Sequence, residues 1–91
     1  MHEDEIHLTV SAVPEMEAVV VAALGAVVRS AGVGEEGTTG ARATVAEAFR
    51  TALERGSGDD VVLTARAERR EYWFELHRGS WTHTGHKSFG S

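Results

Sequence analysis

The chain has 91 residues, enough for one hydrophobic core, so a two-domain enzyme architecture is not expected within it. It carries 14 Asp and Glu against 9 Lys and Arg, a formal charge of −5, and so offers no net positive field to hold a nucleic acid. The absence of cysteine removes disulfides, thiolate metal sites and cysteine nucleophiles together, and fits an intracellular, cytoplasmic protein.

Ile6, Leu8 and Val10 alternate with His7, Thr9 and Ser11, the period of two of a strand with one buried face. The segment before it, Met1 to Glu5, has three acids and no Lys or Arg, the wrong sign for a secretory leader. Pro14, the only proline, precedes Glu15 and Glu17 and marks a helix start. That helix is expected to run to about Ala31, with Met16, Val19, Val20, Ala23, Leu24 and Val27 on one stripe. Val21 and Val28 widen the stripe, so the helix is expected to be covered on more than one side. The apolar run Ala18 to Val28 is broken by Gly25 and falls short of the roughly 20 residues that cross a bilayer, so no membrane partner is expected.

Gly32, Gly34, Gly37 and Gly40 predict a loop, with a left-handed cap after Ala31. It lacks the lysine and the preceding strand of a phosphate loop. A second helix is expected from Thr38 or Thr39, either serving as N-cap, to Gly56, with Ala41, Val45, Ala48, Phe49, Ala52 and Leu53 on its apolar stripe. After a turn over Gly56 to Asp60, Val61, Leu63, Ala65 and Ala67 alternate with polar neighbours as a second strand. Arg69 to Glu71 form a hairpin tip, and Tyr72, Phe74 and Leu76 mark a third strand. Periodicity ends at Arg78, so residues 1–78 are expected to form one domain and residues 79–91 a flexible tail holding Trp81 and Phe89. The order strand, helix, helix, strand, strand predicts an α+β two-layer sandwich, with both helices on one face of a small mixed or antiparallel sheet.

The run Val45-Ala46-Glu47-Ala48-Phe49-Arg50-Thr51-Ala52-Leu53-Glu54-Arg55-Gly56 resembles the ATP-binding helix of the anti-sigma-factor serine kinases. These belong to the GHKL-type ATPases, which include histidine kinases, and their helix reads roughly Val-Asp-Glu-Ala-x-x-Asn-Ala-x-x-His-Gly. The element order over about residues 5–81 is similar too. The resemblance implies a nucleotide site at Glu47, Thr51, His77 and Gly79, and it also implies how that site is altered. Thr51 stands where the family has the magnesium-holding Asn, and His77-Arg78-Gly79-Ser80-Trp81 stands where it has Asp-x-Gly-x-Gly, so the adenine-reading carboxylate becomes an imidazole and only Gly79 is kept. Where the family continues through a lid over the nucleotide, about ten residues follow Trp81. Catalysis is therefore not expected, with Glu47 the one candidate base, and no cofactor is expected; the alternative is a residual serine-kinase-like protein that binds ATP and magnesium.

His77, His83 and His86 could in principle hold zinc, but their unpatterned spacing supplies no scaffold, so no metal is expected. Ser80 and His83 alone do not make a nucleophilic site. Arg66, Arg69, Arg70 and Arg78 beside Tyr72, Trp73 and Trp81 form a basic and aromatic cluster of the kind that anchors interfaces, with Arg69, Arg70, Tyr72, Trp73, Arg78 and Trp81 the candidate interface residues. Glu68, Glu71 and Glu75 roughly cancel its field, which favours a protein partner over nucleic acid. The expectation is a noncatalytic, protein-binding regulatory module resembling a bacterial anti-sigma factor, bound to a sigma factor or an anti-sigma-factor antagonist. A homodimer or heteromer should cover its exposed edge or helix face. A small oligomeric scaffold protein without ligand is the remaining alternative.

Overall fold

The computed structural model describes residues 4–89, Asp4 by its backbone alone; the start of the acidic N-terminal segment and the final residues of the expected tail, Gly90 and Ser91, lie outside the described residues. The elements run β1 (Asp4–Ser11), a 3-10 turn (Pro14–Met16), α1 (Glu17–Ser30), α2 (Glu35–Arg55), β2 (Asp60–Glu68), β3 (Glu71–Arg78) and β4 (Trp81–Ser88). The class is α+β: two helices and a four-stranded, wholly antiparallel sheet in the order β1-β2-β3-β4.

Sheet register follows from the alternation in sequence, since a slip of one residue would turn every apolar side chain outward. Ile6, Leu8 and Val10 pair with Ala65, Leu63 and Val61, and Leu63 and Ala65 pair in turn with Leu76 and Phe74. This side of the sheet packs against the helices, α1 over β1 and β2, α2 over β3 and β4. Val20, Leu24 and Val28 from α1 and Val45, Phe49 and Ala52 from α2 complete a core without solvent access. Gly25 lets the helices approach: a Cβ there would meet Arg42 Nε at 2.6 Å. Arg42 Nε is buried without a hydrogen-bond partner at this crossing. On the helices' outer side, Arg50 grips Glu17 in a two-bond fork, Nε to Oε1 at 3.0 Å and Nη2 to Oε2 at 2.8 Å, and the carboxylate raises the guanidinium's pKa by hydrogen bond and charge.

The helix start at Pro14 and the left-handed turn after Ala31 lie where the sequence puts them, with Gly32 at φ +85°. The second helix does not. It begins at Glu35, capped by Gly34 with no side-chain bond, and takes in Gly37 and Gly40, which by composition mark a loop. Thr38 is not a cap: it is wholly buried and its hydroxyl donates back to the Gly34 carbonyl at 3.0 Å. Gly37 serves packing, since a Cβ there would meet Val33 Cγ1 at 2.5 Å and Phe89 Cε1 at 2.8 Å.

The larger correction concerns the expected tail, because Trp81–Ser88 form β4 and pair along the whole of β3. The Gly79-Ser80 turn, with Gly79 at φ +61°, closes the hairpin in two residues. A Cβ on Gly79 would stand 2.4 Å from the Ser57 carbonyl oxygen, so the turn packs on the loop after α2. Trp81 and Phe89 are not isolated aromatics; both pack against the core cluster. Among the described residues, no helix is long and apolar enough to cross a membrane.

Candidate functional site

Two regions gather the chemically versatile side chains, one on each side of the sheet. On the helix side, a groove of about 420 Å³ runs between α2 and β4, lined by Thr44, Glu47, Ala48, Thr51, Trp81 and His83. Glu47 and Thr51 lie one helical turn apart and so share a face. The Thr51 hydroxyl is turned back onto its own helix, donating to the Glu47 carbonyl at 3.1 Å. Opposite them, Trp81 stacks on His83 with ring centres 6.3 Å apart, and His83 leans on Phe74.

Of the four residues that the kinase resemblance implies for a nucleotide, this groove brings together only Glu47 and Thr51. His77 lies on the other side of the sheet, since Tyr72, Phe74 and Leu76 take the buried positions of β3 and alternation turns His77 away. Gly79 sits in the β3–β4 turn against Ser57. The alternation also separates the histidines: His83 faces α2, whereas His77 and His86 point the other way. Among the described residues, no group of three or more His, Cys, Asp or Glu is placed to hold a metal ion.

Among the described residues, no element packs over the side of the sheet away from the helices, and its residues form cross-strand rungs. Glu5, Arg66, Trp73 and His86 make one, and His7, Thr64, Glu75 and Thr84 the next. Trp73 is flanked from both neighbouring strands: the Arg66 guanidinium carbon lies 4.3 Å from the centre of the indole, and the His86 ring stacks at 5.0 Å and 14°. Such cation–π and ring stacking fix an aromatic that would otherwise turn freely. His86 is held in turn by Glu71, Nε2 to Oε2 at 3.2 Å. Beside this rung lies a trough of about 470 Å³ edged by Glu5, Thr64, Glu75 and Thr84.

The six candidate interface residues of the expected basic and aromatic cluster do not form one patch. Arg69 and Arg70 are the exposed turn between β2 and β3, both at positive φ, 53° and 65°. The Arg70 amide donates to the Ala31 carbonyl at 3.0 Å, and its carbonyl accepts from the Phe89 amide at 2.8 Å. Trp73 belongs to the uncovered face, while Tyr72 is only 4% exposed and lies under α2. Burial raises the Tyr72 phenol pKa above its ordinary value, offset in part by a hydrogen bond with Thr44. Arg78 ties down the end of α2, donating from Nη1 to the Ala52 and Leu53 carbonyls at 3.1 and 2.9 Å and from Nε to the Gly58 carbonyl at 2.9 Å. The Ala52 and Leu53 carbonyls sit at the negative end of the helix, where a cation is favoured. Trp81 borders the groove.

Sequence pattern alone misses His86 as a partner of Trp73. The signal that could have found it is the Gly79-Ser80 pair: read as a two-residue hairpin turn, it fixes the register that puts His86 opposite Trp73. In comparisons with known proteins, the sequence matches no protein-family model and no curated protein.

Proposed function

We propose that this chain is a noncatalytic, cytoplasmic protein-binding regulatory module of the anti-sigma-factor type, whose partner is a sigma factor or an anti-sigma-factor antagonist. The observation that carries the binding reading is Trp73, held between Arg66 and His86 on a sheet face that, among the described residues, no helix or strand packs over. A fixed aromatic beside an arginine loses little freedom on binding, which is how interface hot spots are built. Arg69 and Arg70 extend the same hairpin, kept at left-handed positions where glycine or asparagine would be less strained. The noncatalytic half of the reading is supported by the groove, where Thr51 is bonded to its own helix and Trp81 and His83 stand opposite.

The test is calorimetric titration of the chain with the sigma factors and antagonists of its own genome, and separately with magnesium-ATP. Saturable binding to one of these proteins is expected, weakened about 30-fold by Trp73→Ala, the loss of one hot-spot residue. Magnesium-ATP is expected to give no heat. Binding unchanged by Trp73→Ala would refute the surface, and failure to bind any of these proteins would refute the partner class. Magnesium-dependent ATP binding that Glu47→Ala abolishes would install the kinase-like reading instead.

A further inference from the structure

β4 is an edge of the sheet, and among the described residues no strand pairs with its outer side. Arg78 and Trp81 flank the two-residue turn and so exchange both of their backbone bonds. Alternation from there turns the amides and carbonyls of His83, Gly85 and Lys87 toward β3, and the Phe89 amide, bonded to the Arg70 carbonyl, keeps the same phase. The amides and carbonyls of Thr82, Thr84 and His86 therefore point away from the sheet. All three residues are exposed, and the register with β3 runs from Trp81 to Ser88 without a bulge. Of the devices that keep a sheet edge from pairing, β4 has one lysine and no proline. Beside this edge stand two opposite charges without an ion-pair partner among the described residues. Lys87 is one, its ammonium 5.8 Å from the centre of the Phe89 ring. Glu47, in the groove with Trp81 and His83, is the other, since the nearby Arg50 is committed to Glu17.

We infer that β4 is a self-association edge, on which the β4 of a second copy of this chain pairs antiparallel across a two-fold axis through Thr84, so that the two copies share one eight-stranded sheet. An axis normal to the sheet keeps the helices of both copies on one side, and the outward groups of one edge then meet those of the other. Thr84 exchanges both backbone bonds with Thr84 of the other copy, and Thr82 does so with His86. On the helix side, Lys87 falls opposite Trp81 of the other copy, at the mouth of the groove that holds Glu47. Each ammonium there meets an indole and a carboxylate, and the symmetry makes the contact twice, as an isologous interface requires. An axis through Gly85 would instead set Lys87 against His83 and give up the indole. The helices leave room for this, because two of them packed about 10 Å apart span the width of four strands spaced about 4.8 Å, so a layer of four fits a sheet of eight. One strand pair is a small contact, so association belongs to the weak, transient class. The pairing lies in the plane of the sheet and leaves Trp73 open, so it does not rest on the binding reading given above.

The experiment is sedimentation equilibrium on the whole chain at concentrations from about ten micromolar to one millimolar, the range of weak contacts. The mass should rise toward twice that of the chain and no further. Thr84→Lys, which sets two ammonium groups face to face on an exposed strand, should hold the chain at the monomer with unchanged circular dichroism. Trp73→Ala should leave association as it is, which separates this inference from the sheet-face reading. Glu47→Lys and Lys87→Glu should each weaken association roughly fivefold, the value of two exposed ion pairs. Mixing the two single variants should restore it, because the pairs form between copies and the mixed dimer has opposite charges at both. Because the chain has no cysteine, Thr84→Cys reads the register: it should oxidise to a linked dimer, whereas Thr82→Cys, about 13 Å from its own copy, should not. A monomer throughout the range, growth past a dimer, ready linking through Thr82→Cys, or single-variant losses that mixing does not repair would each overturn the inference.

Discussion

Gly85 gives the sharpest test of β4. It pairs with Phe74, and a Cβ on it would stand 2.4 Å from Phe74 Cε2, 2.8 Å from Cζ and 3.0 Å from Cδ2. The Phe74 ring thus lies over the space a side chain would fill. It has little freedom to retreat, being 3% exposed, with α2 packed above β3. Gly85 has no positive φ, so alanine fits the backbone and only the clash opposes it. Overpacking of this kind costs about 1–3 kcal/mol, and the stiffer unfolded chain returns about 0.5–1 kcal/mol. Gly85→Ala should therefore destabilise by about 1–2 kcal/mol, a fall in Tm of roughly 5–15 °C for a domain of this size. Thermal unfolding followed by circular dichroism measures it. In a Phe74→Leu background, where the ring is gone, the same change should be close to neutral, a coupling of about 1 kcal/mol or more between the two positions. If Gly85→Ala left Tm unchanged or raised it in the parent chain, residues 81–88 would not be the fourth strand in this register, and Trp73 would lose His86 as its neighbour.

Two further outcomes follow from positions described above. Burial places the Tyr72 phenol above its ordinary 10.0, so between that value and the folded one the unfolded chain has lost a proton that the native chain keeps, and stability falls as pH rises. Urea midpoints between about pH 8 and pH 11 should show this decline in the parent and a flatter profile in Tyr72→Phe, which costs about 1 kcal/mol at neutral pH for its lost hydrogen bond; equal slopes would refute the assignment. Arg69→Asn with Arg70→Gly replaces two left-handed arginines by the pair that two-residue hairpins favour, and should raise stability by about 1–2 kcal/mol in the same assay. A loss of stability there would mean that the arginine side chains hold the turn rather than strain it.

The parts of the fold legible in the sequence are those where periodicity and burial coincide. β1, β2 and β3 each bury alternate residues, and α1 buries one stripe, so alternation alone assigns Ile6, Leu63 and Phe74 to the apolar side of the sheet, the side the helices cover. The start of α2 is hidden because four glycines resemble a loop, and only the close approach of Val33 and Phe89 explains Gly37 within a helix. β4 is hidden because an edge strand needs little apolar content: its Thr82, Thr84, His86 and Ser88 face solvent, and Gly85 leaves its inward place to Phe74. The site divides in the same way. Glu47 and Thr51, one turn apart on α2, are predictable neighbours, whereas the separation of Tyr72 from Trp73 and the use of Arg78 as a helix cap depend on which side of β3 each occupies and on where α2 ends.

β2, β3 and β4 are joined by two-residue turns, but β1 reaches β2 only across about 50 residues that contain both helices, with Ser11 opposite Asp60. Closing that span costs of order 3 kcal/mol more entropy than closing a two-residue turn, on the logarithmic scale of loop closure. The first strand is therefore the clasp of a belt. While it is fastened, α1 and α2 are held within one closed loop against the sheet; if it opens, the hairpins remain local but α1 is tethered only through its junction with α2.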